Sequence, residues 1–310
     1  MADREELAGG HLGERVTDRR RSTPPAEAYF VASAVSQYLG ASIAVSLFDR
    51  MPTGAVALTR VAAAALILIV WRRPWDRSWN REQLVAAAGF GVATAAMNLT
   101  FYLAAARIDL GAGVAIEFIG PVTVAAIGVR TRRNIGALLL TVAGIALMTT
   151  FASDAERTGI AFALLAGSMW GLYIVMGRRV AVGGGGIDGL GVGMVIGALA
   201  ISPFGAGGFG PVGDAPWLLA AGASVGLLSN VVPYTLDQLI FGRLPRERFA
   251  LLLALLPVTA AIIGLLVLGQ VPAWREAAGI ALIVAAIAVR DRGGEDLSRR
   301  GPGRSPAGRP

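Results

Sequence analysis

Pro121-Val-Thr-Val-Ala-Ala-Ile-Gly128 returns, almost unchanged, as Pro257-Val-Thr-Ala-Ala-Ile-Ile-Gly264. Six of the eight positions match at an offset of 136 residues, and both copies lie inside apolar stretches. Two further sets of matches stand upstream at an offset of 132: Phe30, Ala34, Ser36 and Tyr38 with Phe162, Ala166, Ser168 and Trp170, and Asn98 and Tyr102 with Asn230 and Tyr234. Three matched sets in the same order describe a chain made of two copies of one unit. Duplication in an apolar chain is characteristic of carriers whose halves move about a central site.

The rest of the sequence supports a membrane setting. Of 310 residues, 55% are hydrophobic and 16% charged. Ten apolar runs near twenty residues long cover about 28–48, 52–71, 83–106, 110–129, 134–151, 159–177, 187–205, 216–241, 249–269 and 273–289. Each can cross a hydrocarbon core of roughly 30 Å. They do not alternate in polarity as barrel strands do, so helices are expected. The fold class predicted is therefore an all-α membrane protein with ten transmembrane helices. The organisation expected is a disordered tail over 1–26, five-helix units over 27–151 and 158–290, and a second disordered tail over 291–310.

A net charge of +7 would suit a nucleic-acid partner, but its placement does not. All 28 basic residues are Arg, and 23 of them fall in the two tails and the even-numbered loops. Arg50, Arg107, Arg157 and Arg275 are the four in odd-numbered loops, and Arg60 lies within a run. This positive-inside pattern predicts cytoplasmic termini in an inner membrane. An odd number of helices per unit then inverts the second unit relative to the first. Trp71, Trp75, Trp79, Trp217 and Trp274 fall at expected membrane boundaries, whereas Trp170 falls near mid-depth. The first run carries the Ser36/Tyr38 half of the repeat, so it reads as a retained helix rather than a cleaved leader despite Arg19-Arg20-Arg21 ahead of it.

Several chemistries are disfavoured. The chain has no Cys, and its one histidine, His11, lies in the polar N-terminal tail, so no conventional metal site, thiol nucleophile or catalytic group is expected. No GxxxxGK[ST] phosphate loop appears, so ion or substrate gradients must drive any transport. The glycines from Gly183 to Gly197 lack the strand–turn–helix context of a dinucleotide fingerprint; Gly193 and Gly197 instead suit close helix packing. No cofactor and no nucleic acid is expected. The expected partners are a small molecule, protons and the lipid bilayer, with a homodimer left open.

Functional candidates are the polar groups at membrane depth. Arg60, Glu117 and Asp237 are the charged side chains lying clearly within the runs, and each is costly in lipid without a partner or water. Glu117 can pair with Arg60 at similar depth, or serve a cavity as a proton or substrate group. Asp237, with no basic residue at its depth, is the other candidate for proton coupling; the alternative is a shallow carboxylate reaching water or Arg243. Pro121, Pro257 and Pro233 should kink their helices. Gln37, Tyr38, Asn98, Tyr102, Trp170, Tyr173, Asn230 and Tyr234 complete the candidate cavity lining.

The stretches Asn98–Gly128 and Val232–Gly269, with Leu47–Thr59 and Ala166–Arg178, resemble the EamA-type transporters of the drug/metabolite transporter superfamily, nearest in look to its threonine/homoserine-exporter branch. That resemblance implies ten helices in two inverted repeats, cytoplasmic termini and export of amino acids or related metabolites. It departs at Gly269-Gln270, where the family often has Gly-Glu. The reading is a secondary exporter of small metabolites, most simply amino acids, driven by protons. A multidrug or other metabolite carrier of the same fold is the alternative, with a passive channel or an intramembrane enzyme more remote.

Overall fold

The computed structural model describes residues 26–128, 131–149, 153–183, 186–234 and 255–289, together with residues 236 and 252. Among the described residues the secondary structure is helical, with no strand. The α-helices are α1 (Ala26–Leu47), α2 (Thr53–Arg72), α3 (Arg81–Ala105), α4 (Leu110–Glu117), α5 (Ile119–Gly128), α6 (Arg132–Thr149), α7 (Asp154–Val182), α8 (Gly186–Gly205), α9 (Trp217–Gly226), α10 (Leu255–Leu268) and α11 (Trp274–Val289). A π-helical turn, Leu227–Val231, continues α9.

Seven helical stretches are long and apolar enough to cross a membrane: α1, α2, α3, α4 with α5, α7, α8 with the turn after it, and α9 continued to Tyr234. Ten crossings were expected. The described parts of α6, α10 and α11 have 18, 14 and 16 residues, and each borders residues outside the described set, so seven spans are counted among the described residues.

The fourth apolar run is broken where proline chemistry requires it. A proline has no N–H for the carbonyl four residues back and crowds it. For Pro121 that carbonyl belongs to Glu117, and α4 ends at Glu117 while α5 begins at Ile119. Pro257 is the third residue of the described span Leu255–Leu268, and residues 253 and 254 just ahead of that span lie outside the described residues. Pro233 is buried just past the π turn, and the carbonyl four residues before it is that of Ser229.

Helices in an apolar solvent associate by close packing of small residues. Here α3 lies against α7 and α8, α2 against α8 and α9, and α6 against α11. A Cβ on Gly193 would lie 2.6 Å from the Ala87 carbonyl oxygen, and one on Gly91 would overlap the Gly193 carbonyl, so α3 and α8 meet backbone to backbone. Gly54 on α2 and Gly205 on α8 repeat the arrangement, and Gly144 on α6 meets Gly279 on α11. The polar ends are tied as well. Arg72 Nε at 3.0 Å and Arg77 Nη1 at 3.7 Å reach the Asp188 carboxylate, and Gln83 Nε2 donates to the Gly183 carbonyl at 2.8 Å.

Candidate functional site

Most hydroxyls on these helices are satisfied locally. Thr59, Thr94, Thr100, Thr141, Thr149, Ser168 and Thr259 each donate to the carbonyl four residues back in their own helix. Such bonding lets a polar residue sit in an apolar helix without an external partner. Against that background four buried polar atoms have no hydrogen-bond partner of good geometry among the described residues: Asn98 Nδ2, Tyr102 Oη, Asn230 Nδ2 and Ser42 Oγ. Each such atom costs about 1–3 kcal/mol when dry. The first three surround Arg60.

Arg60 is 5% exposed and lies on α2. Its Nε donates to Asn230 Oδ1 at 2.9 Å, and its Nη2 donates to the Ser229 carbonyl at 3.3 Å. Both acceptors belong to the π turn. Because Pro233 has no N–H for the Ser229 carbonyl, that oxygen is available to the guanidinium. The guanidinium carbon stands 5.1 Å from the Tyr102 ring centroid, in cation–π range. Two more bonds lace the π turn to α1: Ser36 Oγ donates to the Leu228 carbonyl at 2.7 Å, and Ser229 Oγ to the Gln37 carbonyl at 2.9 Å. This approach requires Gly40, since a Cβ there would overlap the Ser229 hydroxyl.

Glu117 faces the same space from the end of α4. A small cavity of about 30 Å³, comparable to one water molecule, is walled by Gln37, Tyr38, Arg60, Met97, Asn98 and Glu117, with Ala41 and Phe101 completing it. The direct Arg60–Glu117 ion pair that sequence depth allowed is not formed. Arg60 turns instead to the neutral oxygens of Asn230 and Ser229, and no side chain among the described residues donates to the Glu117 carboxylate. The position of α4 is fixed from outside itself: Gln270 Oε1 accepts the Leu110 N–H at 3.0 Å, and Gly167 of α7 packs on the Glu117 carbonyl, 2.6 Å from where a Cβ would stand.

The structure thus gathers Gln37, Tyr38, Asn98, Glu117 and Arg60 around one cavity, with Tyr102 and Asn230 on Arg60. Trp170 and Tyr173 are elsewhere on α7: Trp170 packs edge-on to Phe118 at 4.8 Å and Tyr173 against Phe90 at 4.7 Å. Tyr234 is half-buried and does not wall this cavity. Asp237 lies outside the described residues. Sequence reasoning missed Ser229, whose carbonyl is a ligand of Arg60. The signal was present in Pro233 four residues later.

Comparison with known proteins agrees with a transporter architecture. The profile of the EamA-like transporter family matches residues 157–289. The chain is 34% identical over 253 residues to the threonine/homoserine exporter RhtA of Salmonella typhimurium, covering 80% of this chain and 84% of that protein. It is 33% identical over 253 residues to the protein of the same name from Escherichia coli K12, with the same coverage of 80% and 84%. A solved structure titled only as the crystal structure of a protein superposes with a TM-score of 0.53 over 89% of this chain and 98% of its own, at 19% identity, a likeness of fold alone. With relatives at 33–34% identity over 80% of the chain and the family profile matching residues 157–289, the chain belongs to the EamA-like transporter family.

Proposed function

We propose that this protein exports small amino acids of the threonine and homoserine kind across the inner membrane. The observation that carries the reading is the cavity itself: one arginine and one ionisable carboxyl group face a single buried space without an ion pair between them. That arrangement suits a solute carrying both charges. The names of the relatives, threonine/homoserine exporters, point to the same class.

The architecture proposed is two inverted five-helix repeats, with both termini cytoplasmic. Its support is the pairing of helix contacts. Exchange of the halves turns α3 against α7 into α9 against α1, α3 against α8 into α9 against α2, and α4–α5 against α7 into α10 against α1. Each member of these pairs is present, and α2 against α8, α4 against α10 and α6 against α11 map onto themselves. The driving ion proposed is the proton, with Glu117 as the carrier of the charge; the sequence offers Asp237 for the same role.

Overexpression in a sensitive host should raise tolerance to excess threonine or homoserine and increase the amino acid outside the cells. Wild-type levels of external amino acid, accompanied by efflux of a cationic dye, would replace this reading with drug efflux. Collapse of the proton gradient should stop concentrative export; passive equilibration that continues unchanged would indicate a channel.

A further inference from the structure

Arg60 is held by substitutes. Its two acceptors, the Asn230 amide oxygen and the Ser229 carbonyl, are both neutral, and its Nη1 has no acceptor of good geometry among the described residues. A carboxylate is a stronger partner than either, because charge-assisted, forked bonds to guanidinium exceed neutral ones. The orphaned nitrogens nearby, Nδ2 of Asn98 and Nδ2 of Asn230, are both donors. This side of the site therefore has donors in excess and lacks an anion. The opposite wall has the reverse imbalance, since Glu117 is an acceptor with no donor among the described residues.

We infer that Arg60 and Glu117 form the two poles of a clamp for an α-amino acid: the substrate carboxylate takes Arg60 from Asn230 and Ser229, and the substrate ammonium is received by Glu117. The inference rests on the amino-acid-exporter reading above and assigns the orientation of the substrate within that site. It also gives substrate a mechanical consequence. Asn230 and Ser229 lie on the π turn and Arg60 lies on α2, so the two bonds that substrate replaces join α2 to the end of α9. The cavity of about 30 Å³ is too small for an amino acid while those bonds stand, so binding and separation of the two elements are one event. With Glu117 ionised the two poles cancel, so a zwitterion leaves the site neutral, whereas a net cation or anion leaves one buried pole unmatched.

The test uses the full-length protein in liposomes, with labelled threonine as the transported solute. Competitors are unlabelled threonine, threonine amide, which lacks the carboxylate, and N-acetylthreonine, which lacks the ammonium. Both analogues should compete roughly tenfold or more weakly than threonine, the expected loss when one hydrogen-bonded charge is removed. Asn230→Asp supplies Arg60 with a permanent carboxylate. It should raise the melting temperature yet raise the half-saturating threonine concentration roughly tenfold or more. Glu117→Gln should selectively relieve discrimination against N-acetylthreonine. Equal competition by the amide and threonine overturns the clamp, as does Asn230→Asp transport with unchanged half-saturation; the wild-type analogue series decides the matter even if a variant fails to fold. In both cases wild-type threonine transport leaves the exporter reading standing. Absence of transport of any amino acid by the wild type removes that reading, and the clamp with it.

Discussion

A buried guanidinium is satisfied by whichever oxygens the fold brings to it, and here they come from residues 169 and 170 positions away along the chain. Its energetic partner should therefore be Asn230 and not Glu117. In a double-mutant cycle on thermal stability, Arg60→Met with Asn230→Leu should show coupling of about 0.5–3 kcal/mol, the range for residues in direct contact. Arg60→Met with Glu117→Gln should be close to additive; the opposite ranking would restore the ion pair. A second residue-scale expectation concerns Asp109, just ahead of α4, whose carboxyl is raised above its ordinary range by burial and then by the nearby Glu276 and Glu156. A carboxyl raised in the folded state favours folding while protonated, and that contribution is lost as pH rises through its folded-state value. Asp109→Asn should accordingly melt higher than wild type at neutral pH, with the gap closing as pH falls below that raised range. A gap that persists at acid pH would assign the effect to packing.

At the scale of elements, two prolines act on carbonyls at the site, each four residues upstream. Pro121 sets the break at Glu117 between α4 and α5, and Pro233 leaves the Ser229 carbonyl for Arg60. Pro233→Ala returns an N–H to that carbonyl. The variant should retain or gain thermal stability and lose transport, because the π turn can then close as ordinary α-helix and withdraw a ligand of Arg60. Unchanged transport would show that the π turn is incidental. These elements were unequally legible in the sequence. Apolar length located the helices, and the break at Pro121 follows from local backbone chemistry. Pro233 signals the missing N–H at the π turn, but the turn is also held by Ser36, Arg60 and the cleft at Gly40, all in the other half of the chain, and those partners are not legible from the local sequence. Asn98, Tyr102 and Asn230 were legible as repeat mates. The repeat could not tell that Trp170 faces Phe118, since a shared position fixes depth along a helix and leaves the neighbouring side chain undetermined.

For the whole molecule, the distribution of arginine makes a claim about orientation that native chemistry allows to be checked directly. The chain contains no cysteine, so single probes can be introduced without background. A Cys replacing Gly213, in the turn before α9, should react with impermeant thiol reagent in intact cells, and one replacing Ser298 should react only after permeabilisation. Labelling of the second position alone would reverse the topology. One attachment then gains a wider meaning. Gln270 grips the first residue of α4, Leu110, and Glu117 is the last residue of the same helix, about 10 Å further along at ~1.5 Å per residue. A short helix pinned at its head behaves as a rigid spacer. The Glu117 end of that spacer is thereby placed in part by the segment between α10 and α11, and Gln270→Ala should shift threonine transport although Gln270 does not wall the cavity.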